Sequence, residues 1–241
     1  MSRTPLGRQT RNFWEKKMEA QTTKFKDPWG FSKWDSFNGC PAKFKYTFVE
    51  KRKEGNASSP AMERGSKMHD NIESYLNGWA KDLIKDNEGF REAFDALKLK
   101  DYHAEQAMGI DKDWNHLPDW FDKRTWLRVK MDAYFVEDNK GTAIDFKSGK
   151  YRVPSVEQVE LYAIALHAKI PTLTEVTAEF WYLDTGEIYD RTYTPEQLLQ
   201  LRKKYEGYAT RMYNEVLFTP SPSNGCRWCA FSKTKGGPCK Y

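Results

Sequence analysis

Cysteine is scarce in this chain, four in 241 residues, too few to lace a protein of this length together with disulfides. Long apolar runs are missing: none approaches the ~18 residues that a membrane span needs, so insertion into a membrane is excluded. The first residues, Met1 to Arg11, are basic but lack the apolar stretch of a secretory signal. The expected compartment is therefore the cytoplasm, of a bacterial cell or of a phage-infected host, where structural disulfides are rare. No internal repeat and no low-complexity tract appears. A phosphate-cradling Gly-x-x-x-x-Gly-Lys-Ser/Thr loop is also absent, so any nucleic-acid unwinding would have to come from a partner.

What is present is an ordinary globular composition, 39% hydrophobic and 30% charged, enough for one well-buried core with an appendage. The net charge of +5 is modest, but it is unevenly spread. Residues 1–53 hold 13 Lys/Arg against 5 Asp/Glu, residues 54–200 hold 18 against 27, and residues 201–241 hold 8 against 2. Basic ends can hold a polyanion while acidic side chains in the middle recruit cations, the charge division that metal-assisted phosphodiester hydrolysis requires. Solvated surface charge is the plainer alternative.

Periodicity places the elements. Met68, Ile72, Tyr75, Leu76 and Trp79 lay one stripe along a helix from Ala61, with His69 and Glu73 on a neighbouring face. Helix is predicted to continue from Lys81 to Leu99, followed by a strand from His103 to Ile110. From Thr125 to Glu137 the chain alternates, with Leu127, Val129, Met131 and Ala133 on one face and Arg128, Lys130 and Asp132 on the other. Turn residues Asp138-Asn139-Lys140-Gly141 lead into a second strand, Thr142 to Lys147, so the pair reads as a hairpin. Pro154 and Ser155 introduce a helix to about Lys169. Two further strands, Glu175–Leu183 and Ile188–Tyr193, flank the turn Asp184-Thr185-Gly186. Thr194-Pro195-Glu196-Gln197 starts a helix running to about Val216. The fold class expected is α/β: a central mixed sheet flanked by helices, with a helical N-terminal part and a cysteine-bearing tail. The division expected is a basic arm at 1–36, a core at 37–218 and the tail at 219–241.

In Asp145-Phe146-Lys147, alternation points the carboxylate and the amine the same way. If Glu137 pairs with Thr142, Asp132 lies opposite Lys147 and diagonal to Asp145; a one-residue slip would turn Asp132 to the other face. Two carboxylates suit Mg²⁺ or Mn²⁺, which polarise a phosphate and generate hydroxide. Lys147 would position the attacking water and offset charge developing on phosphorus, and the Phe146 carbonyl could complete the metal shell. An Asp-x-Lys on a strand is by itself more often an ordinary ion pair.

The order of motifs adds to this. Gly65-Ser66-Lys67-Met68-His69, then Asp132, then Ile144-Asp145-Phe146-Lys147-Ser148-Gly149, then Gln158-Val159-Glu160-Leu161-Tyr162 resembles the RecB-type branch of the PD-(D/E)xK nucleases over roughly residues 37–241. The resemblance implies a restriction-endonuclease-like core, a metal-ligand role for His69, and a role for Gln158 and Tyr162 in organising the site and engaging DNA. Met131 stands where the proline of the family name would be. Residue by residue the plainer alternatives are a satisfied helix histidine for His69, a capping box Ser155–Gln158, and core packing for Tyr162. Glu105, on the strand before the hairpin, is a supplementary acid that could aid metal binding.

Cys226, Cys229 and Cys239 cluster near the end, and Cys40 stands far upstream. Four thiols make one tetrahedral site for zinc or a [4Fe-4S] cluster; the spacing does not choose, and free thiols are a third reading. One cysteine before the core and three after it resembles the iron–sulfur staple of AddB-type helicase-nucleases and CRISPR-adaptation nucleases, which favours [4Fe-4S] with zinc second. The resemblance as a whole implies a Mg²⁺- or Mn²⁺-dependent exonuclease on single-stranded DNA or DNA ends in recombination or repair, with a helicase or recombination partner. Two other classes stay open: a catalytically silent DNA-binding module and a structural zinc or iron–sulfur interaction domain.

Overall fold

The computed structural model describes residues 24–56, 59–149 and 155–241. Most of the basic arm, residues 1–23, and the expected helix-introducing Pro154 lie outside the described residues. In chain order the helices are α1 (Phe31–Gly39), α2 (Pro41–Phe44), α3 (Pro60–Leu76), α4 (Arg91–Lys98), α5 (Val156–Lys169) and α6 (Pro195–Asn214). The strands are β1 (Tyr102–Ile110), β2 (His116–Leu117), β3 (Leu127–Glu137), β4 (Lys140–Lys147), β5 (Glu175–Tyr182) and β6 (Glu187–Tyr193). They form one mixed six-stranded sheet in the order β2-β1-β3-β4-β5-β6. Only the β4–β5 pair is parallel among these, because α5 carries the chain back between them, as a parallel crossover requires. This is the α/β fold with a mixed sheet flanked by helices that the residue pattern leads one to expect.

The chain divides into two compact units. Among the described residues, one comprises 28–31, 59–149 and 155–206, the other 24–27, 32–56 and 207–241. In the first, the sheet face bearing Ile144, Phe146 and Trp181 packs with Met68 and Ile72 of α3 and Phe94 of α4. Residues 159–168 of α5 are buried without a break, which explains why that segment has little amphipathic signature. In the second, Trp34 stacks on Tyr208 at 4.0 Å and Phe25 on Tyr213 at 5.3 Å.

Two expectations are corrected. The apolar stripe does not carry a helix to Trp79: α3 ends at Leu76, Gly78 takes φ 74°, and the amides of Gly78 and Trp79 bond the carbonyls of Tyr75 and Ser74. That is a Schellman stop, and it leaves Trp79 74% exposed. Helix is likewise not continuous from Lys81 to Leu99; a 3₁₀ stretch at Lys85–Phe90 precedes α4. The side chain of Asn87 there turns inward to donate to the Met68 carbonyl and Asn71, a contact that a continuous helix would not offer.

Candidate active site

The hairpin register decides where the acids meet. Asp138 and Asn139 both take positive φ, 49° and 59°, the conformation of a two-residue type I′ turn that matches strand twist. Glu137 therefore pairs with Lys140, not with Thr142, and Ala133 with Ile144. The shift is two residues, so every side chain keeps its face. One further step of that register sets Asp132 across from Asp145 instead of Lys147. Past Ala133 the strands part, and the Asp132 carboxylate fills the fork: its Oδ2 accepts the Phe146 amide at 2.6 Å.

On the other strand edge, β1 pairs Ala104 with Ala133 and Gln106 with Met131, skipping Glu105. Glu105 has φ 51°, a left-handed backbone that costs a non-glycine residue energy and marks a constrained position. Its carboxylate, that of Asp132 and the imidazole of His69 offer ligand atoms all within 4.8 Å of one another. His69 reaches the group from α3, with Nδ1 3.3 Å from Asp132 Oδ1. Gly65 helps it approach, since a Cβ there would lie 2.8 Å from Ser148 Oγ at the end of β4. A cleft of about 370 Å³ opens alongside, lined by Ser66, His69, Glu73, Glu105 and Lys130.

Asp145 and Lys147 do share a face, with Nζ 2.6 Å from Asp145 Oδ2. Gln158, on the first turn of α5, bridges them: its Oε1 accepts Lys147 Nζ at 3.0 Å, and its Nε2 donates to Asp145 Oδ1 at 3.2 Å and to the Tyr162 hydroxyl at 2.7 Å. The Tyr162 hydroxyl donates in turn to Asp145 Oδ1. The capping-box reading of Gln158 does not hold, because Ser155 makes no side-chain cap and bonds Glu157 instead. His69 pairs with Asp132.

The electrostatics follow from burial. Burial pushes the Asp145 carboxyl up, opposed by Lys147 and reinforced by Asp132. Burial acts to depress His69, but the hydrogen bond and charge of Asp132, with Asp145 and Glu105, outweigh it and raise His69 overall. Tyr162 is pushed well above the ordinary phenol range by burial and by Asp145, so it stays a donor. Three carboxylates, those of Asp132, Asp145 and Glu105, converge in this half-dry site, each beside one basic group. Asp145 Oδ2 is buried and, despite the nearby ammonium, meets no donor in hydrogen-bonding geometry. Hard oxygen donors and one imidazole fit a divalent cation of the Mg²⁺ or Mn²⁺ kind.

Sequence reasoning missed Arg64 and Asp184. Arg64 meets Asp184 through two bonds of 3.0 and 2.6 Å and Asp86 at 3.1 Å. The Gly149 amide also bonds Asp184, whose carboxyl is lowered chiefly by Arg64. The turn after β5 thereby holds both the start of α3 and the exit of β4. No local pattern announces a pair 120 residues apart.

The four cysteines all lie in the other compact unit and line one pocket, together with Tyr46, Pro220, Phe231 and Tyr241. Cys40 caps α2; its Sγ accepts the Ser221 amide at 3.5 Å, and Cys226 Sγ accepts that of Ser223 at 3.4 Å. Burial, then Cys239, raises the Tyr46 phenol, and Cys40 adds to the shift. Four thiols around one space, with amides directed at two of the sulfurs, are a donor set suited to a thiolate-bound metal centre.

The family model described as the PD-(D/E)XK nuclease superfamily matches residues 28–234. Among solved structures, the crystal structure of SSO0001 is similar at 15% identity and TM-score 0.46, covering 97% of each chain. That of a candidate exonuclease from Eubacterium rectale is similar at 14% identity and TM-score 0.49, covering 95% of this chain and 92% of the other. Among curated proteins none matches. No helix of the described residues is long and apolar enough to cross a membrane.

Proposed function

The chain belongs to the PD-(D/E)XK nuclease superfamily, and from that premise we propose that it is a Mg²⁺- or Mn²⁺-dependent DNA exonuclease of the RecB-like, iron–sulfur branch. The reading places it in the cytoplasm, trimming single strands or DNA ends in repair or recombination alongside a helicase or recombination partner. One observation carries the catalytic part: Asp145, Lys147, Gln158 and Tyr162 form a closed hydrogen-bonded set beside the His69–Asp132–Glu105 group. A silent binding module would have no need to keep a half-buried lysine against a buried carboxylate in this arrangement.

In this reading His69, Asp132, Asp145 and the Phe146 carbonyl hold the cation, with Glu105 in support. When bound, it would polarise the scissile phosphate and lower the pKa of the attacking water. The chain's own groups do the rest. The Phe146 amide fixes Asp132, so the acid presents its other oxygen toward His69. Gln158 and Asp145 hold the Lys147 ammonium by two contacts, placing a fixed positive charge where negative charge builds on the phosphoryl oxygens. Tyr162 and Gln158 both donate to Asp145 Oδ1 and so fix the carboxylate with Oδ2 on the Lys147 side, the kind of support on which metal sites depend.

The cysteine pocket, in the same reading, holds a [4Fe-4S] cluster through Cys40, Cys226, Cys229 and Cys239, so that the tail at 219–241 closes on Cys40. Iron, sulfide and zinc analysis of anaerobically purified protein with its visible spectrum tests this. A brown, iron-loaded preparation supports it, a colourless zinc-loaded one replaces the cluster with zinc, and a stable metal-free one removes it.

Cleavage of labelled single- and double-stranded DNA, with and without Mn²⁺, tests the activity. Activity that needs the metal and disappears in Asp145→Ala and Lys147→Ala supports the proposal. Equal activity in those variants would refute the site.

A further inference from the structure

The segment between β2 and β3 carries an aromatic–cationic shelf whose purpose the fold does not supply. Phe121 is 76% exposed, and the Arg128 guanidinium lies against both neighbouring rings, 5.0 Å from Trp120 and 5.5 Å from Phe121. Arg128 Nε donates to the Trp120 carbonyl at 3.2 Å, which uses one of the five N–H donors of a guanidinium. The loop is held in shape by its own acids. Asp119 Oδ1 accepts the Phe121 amide at 2.8 Å, and Asp122 accepts the Arg124 amide at 2.8 Å and pairs with its guanidinium at 2.7 Å. These carboxylates face their own turns, so their charge is committed, and the exposed ring sits on an ordered support.

Position gives the shelf its meaning. Arg128 and Lys130 alternate with the buried Leu127, Val129 and Met131, so they share a face of β3. Lys130 pairs with Glu105, which groups with Asp132 and His69. From Asp132 to Arg128 is four residues of strand, roughly 13 Å. A line of cations thus runs from the acidic centre out to the exposed ring.

We propose that this line is the path of a single-stranded DNA chain: a base stacks on Phe121, with Arg128 and then Lys130 meeting successive phosphates as the strand runs to the acidic centre. Ring stacking beside a cation is how single strands are held without sequence preference, and a paired base within a duplex would not offer its face. This rests on the nuclease reading of the site.

Anisotropy with fluorescent oligothymidylates in chelator, where cleavage cannot occur, tests it. Phe121→Ala and Arg128→Ala are expected to weaken binding of a single strand by about tenfold each. Phe121→Trp should retain it, and Trp79→Ala, which removes an equally exposed ring, should leave it unchanged. Blunt duplex binding should not respond to Phe121→Ala. If Phe121→Ala and Arg128→Ala bind single strands like the parent while the parent cleaves DNA, the path is wrong and the nuclease reading stands. If the parent binds through Phe121 yet cleaves nothing with Mn²⁺, the path stands and the nuclease reading falls. A parent that binds no single strand overturns the path.

Discussion

The acidic centre and the cysteine pocket are built in opposite ways. At the centre every key side chain is already held by the protein: Asp132 by the Phe146 amide, Asp145 by Tyr162 and Gln158, Lys147 by Gln158 and Asp145. Its elements are long strands and helices. Cys226 and Cys229 instead sit on and just after a single 3₁₀ turn, Asn224–Trp228, and the pocket is drawn from the helix junction at Cys40 and loops of the tail. Support there consists of long amide-to-sulfur bonds. A site held by a sheet can lose its chemistry and keep its shape, whereas a metal site built on loops would depend on the bound metal for its shape.

The largest effects should separate these two behaviours. Asp145→Ala or Lys147→Ala should lower DNA cleavage by about a thousandfold with the circular dichroism spectrum and any cluster colour retained, and the double variant should be hardly worse than either. Loss of folding in those variants would erase the contrast. Cys226→Ala should instead lose the visible absorption and lower the thermal midpoint; a variant as stable as the parent would show that the pocket needs no ligand. Gln158→Ala should cost about 10- to 100-fold in activity, the range for a group that positions ligands, with Gln158→Glu recovering part of it through Lys147. Asn139→Ala should cost about 1 kcal/mol, because alanine lacks the short polar side chain that lets asparagine tolerate the left-handed backbone of this turn, measurable by chemical denaturation, without touching the cysteine pocket.

The smallest effect concerns pH. His167 on α5 is lowered by burial and by Arg202, so its protonated form is favoured in the unfolded chain. Its contribution to stability is complete above the ordinary histidine range and is lost as pH falls below about 6.5. His167→Gln should flatten that part of the stability profile, and an unchanged slope would assign the acid sensitivity elsewhere.

Alternation alone put Asp145 and Lys147 together, because a strand's period is fixed by the backbone, and the helical spacing from Met68 to Tyr75 placed His69 beside a buried stripe. The order of these motifs was enough for the family. The hairpin register differs by two residues from the one the sequence suggests, because Asp138-Asn139-Lys140-Gly141 contains several possible turns, and only the twist of the paired strands selects the two-residue one. The end of α3 is hidden in the sequence because Trp79 continues the stripe, while Gly78 stops the helix through bonds that the stripe does not reveal.

What the sequence by itself determined was therefore local and periodic: which residues share a face, where strands and helices lie, and which side chains have the chemistry for a cation and a phosphate. Tertiary structure decided what stands across from what. It set Asp132 against Asp145, bent Glu105 toward His69, turned Gln158 from a cap into a bridge, and joined Arg64 to Asp184. These are pairings between distant parts of the chain, chosen by the packing of the whole sheet and its helices, and no short window of sequence carries that information.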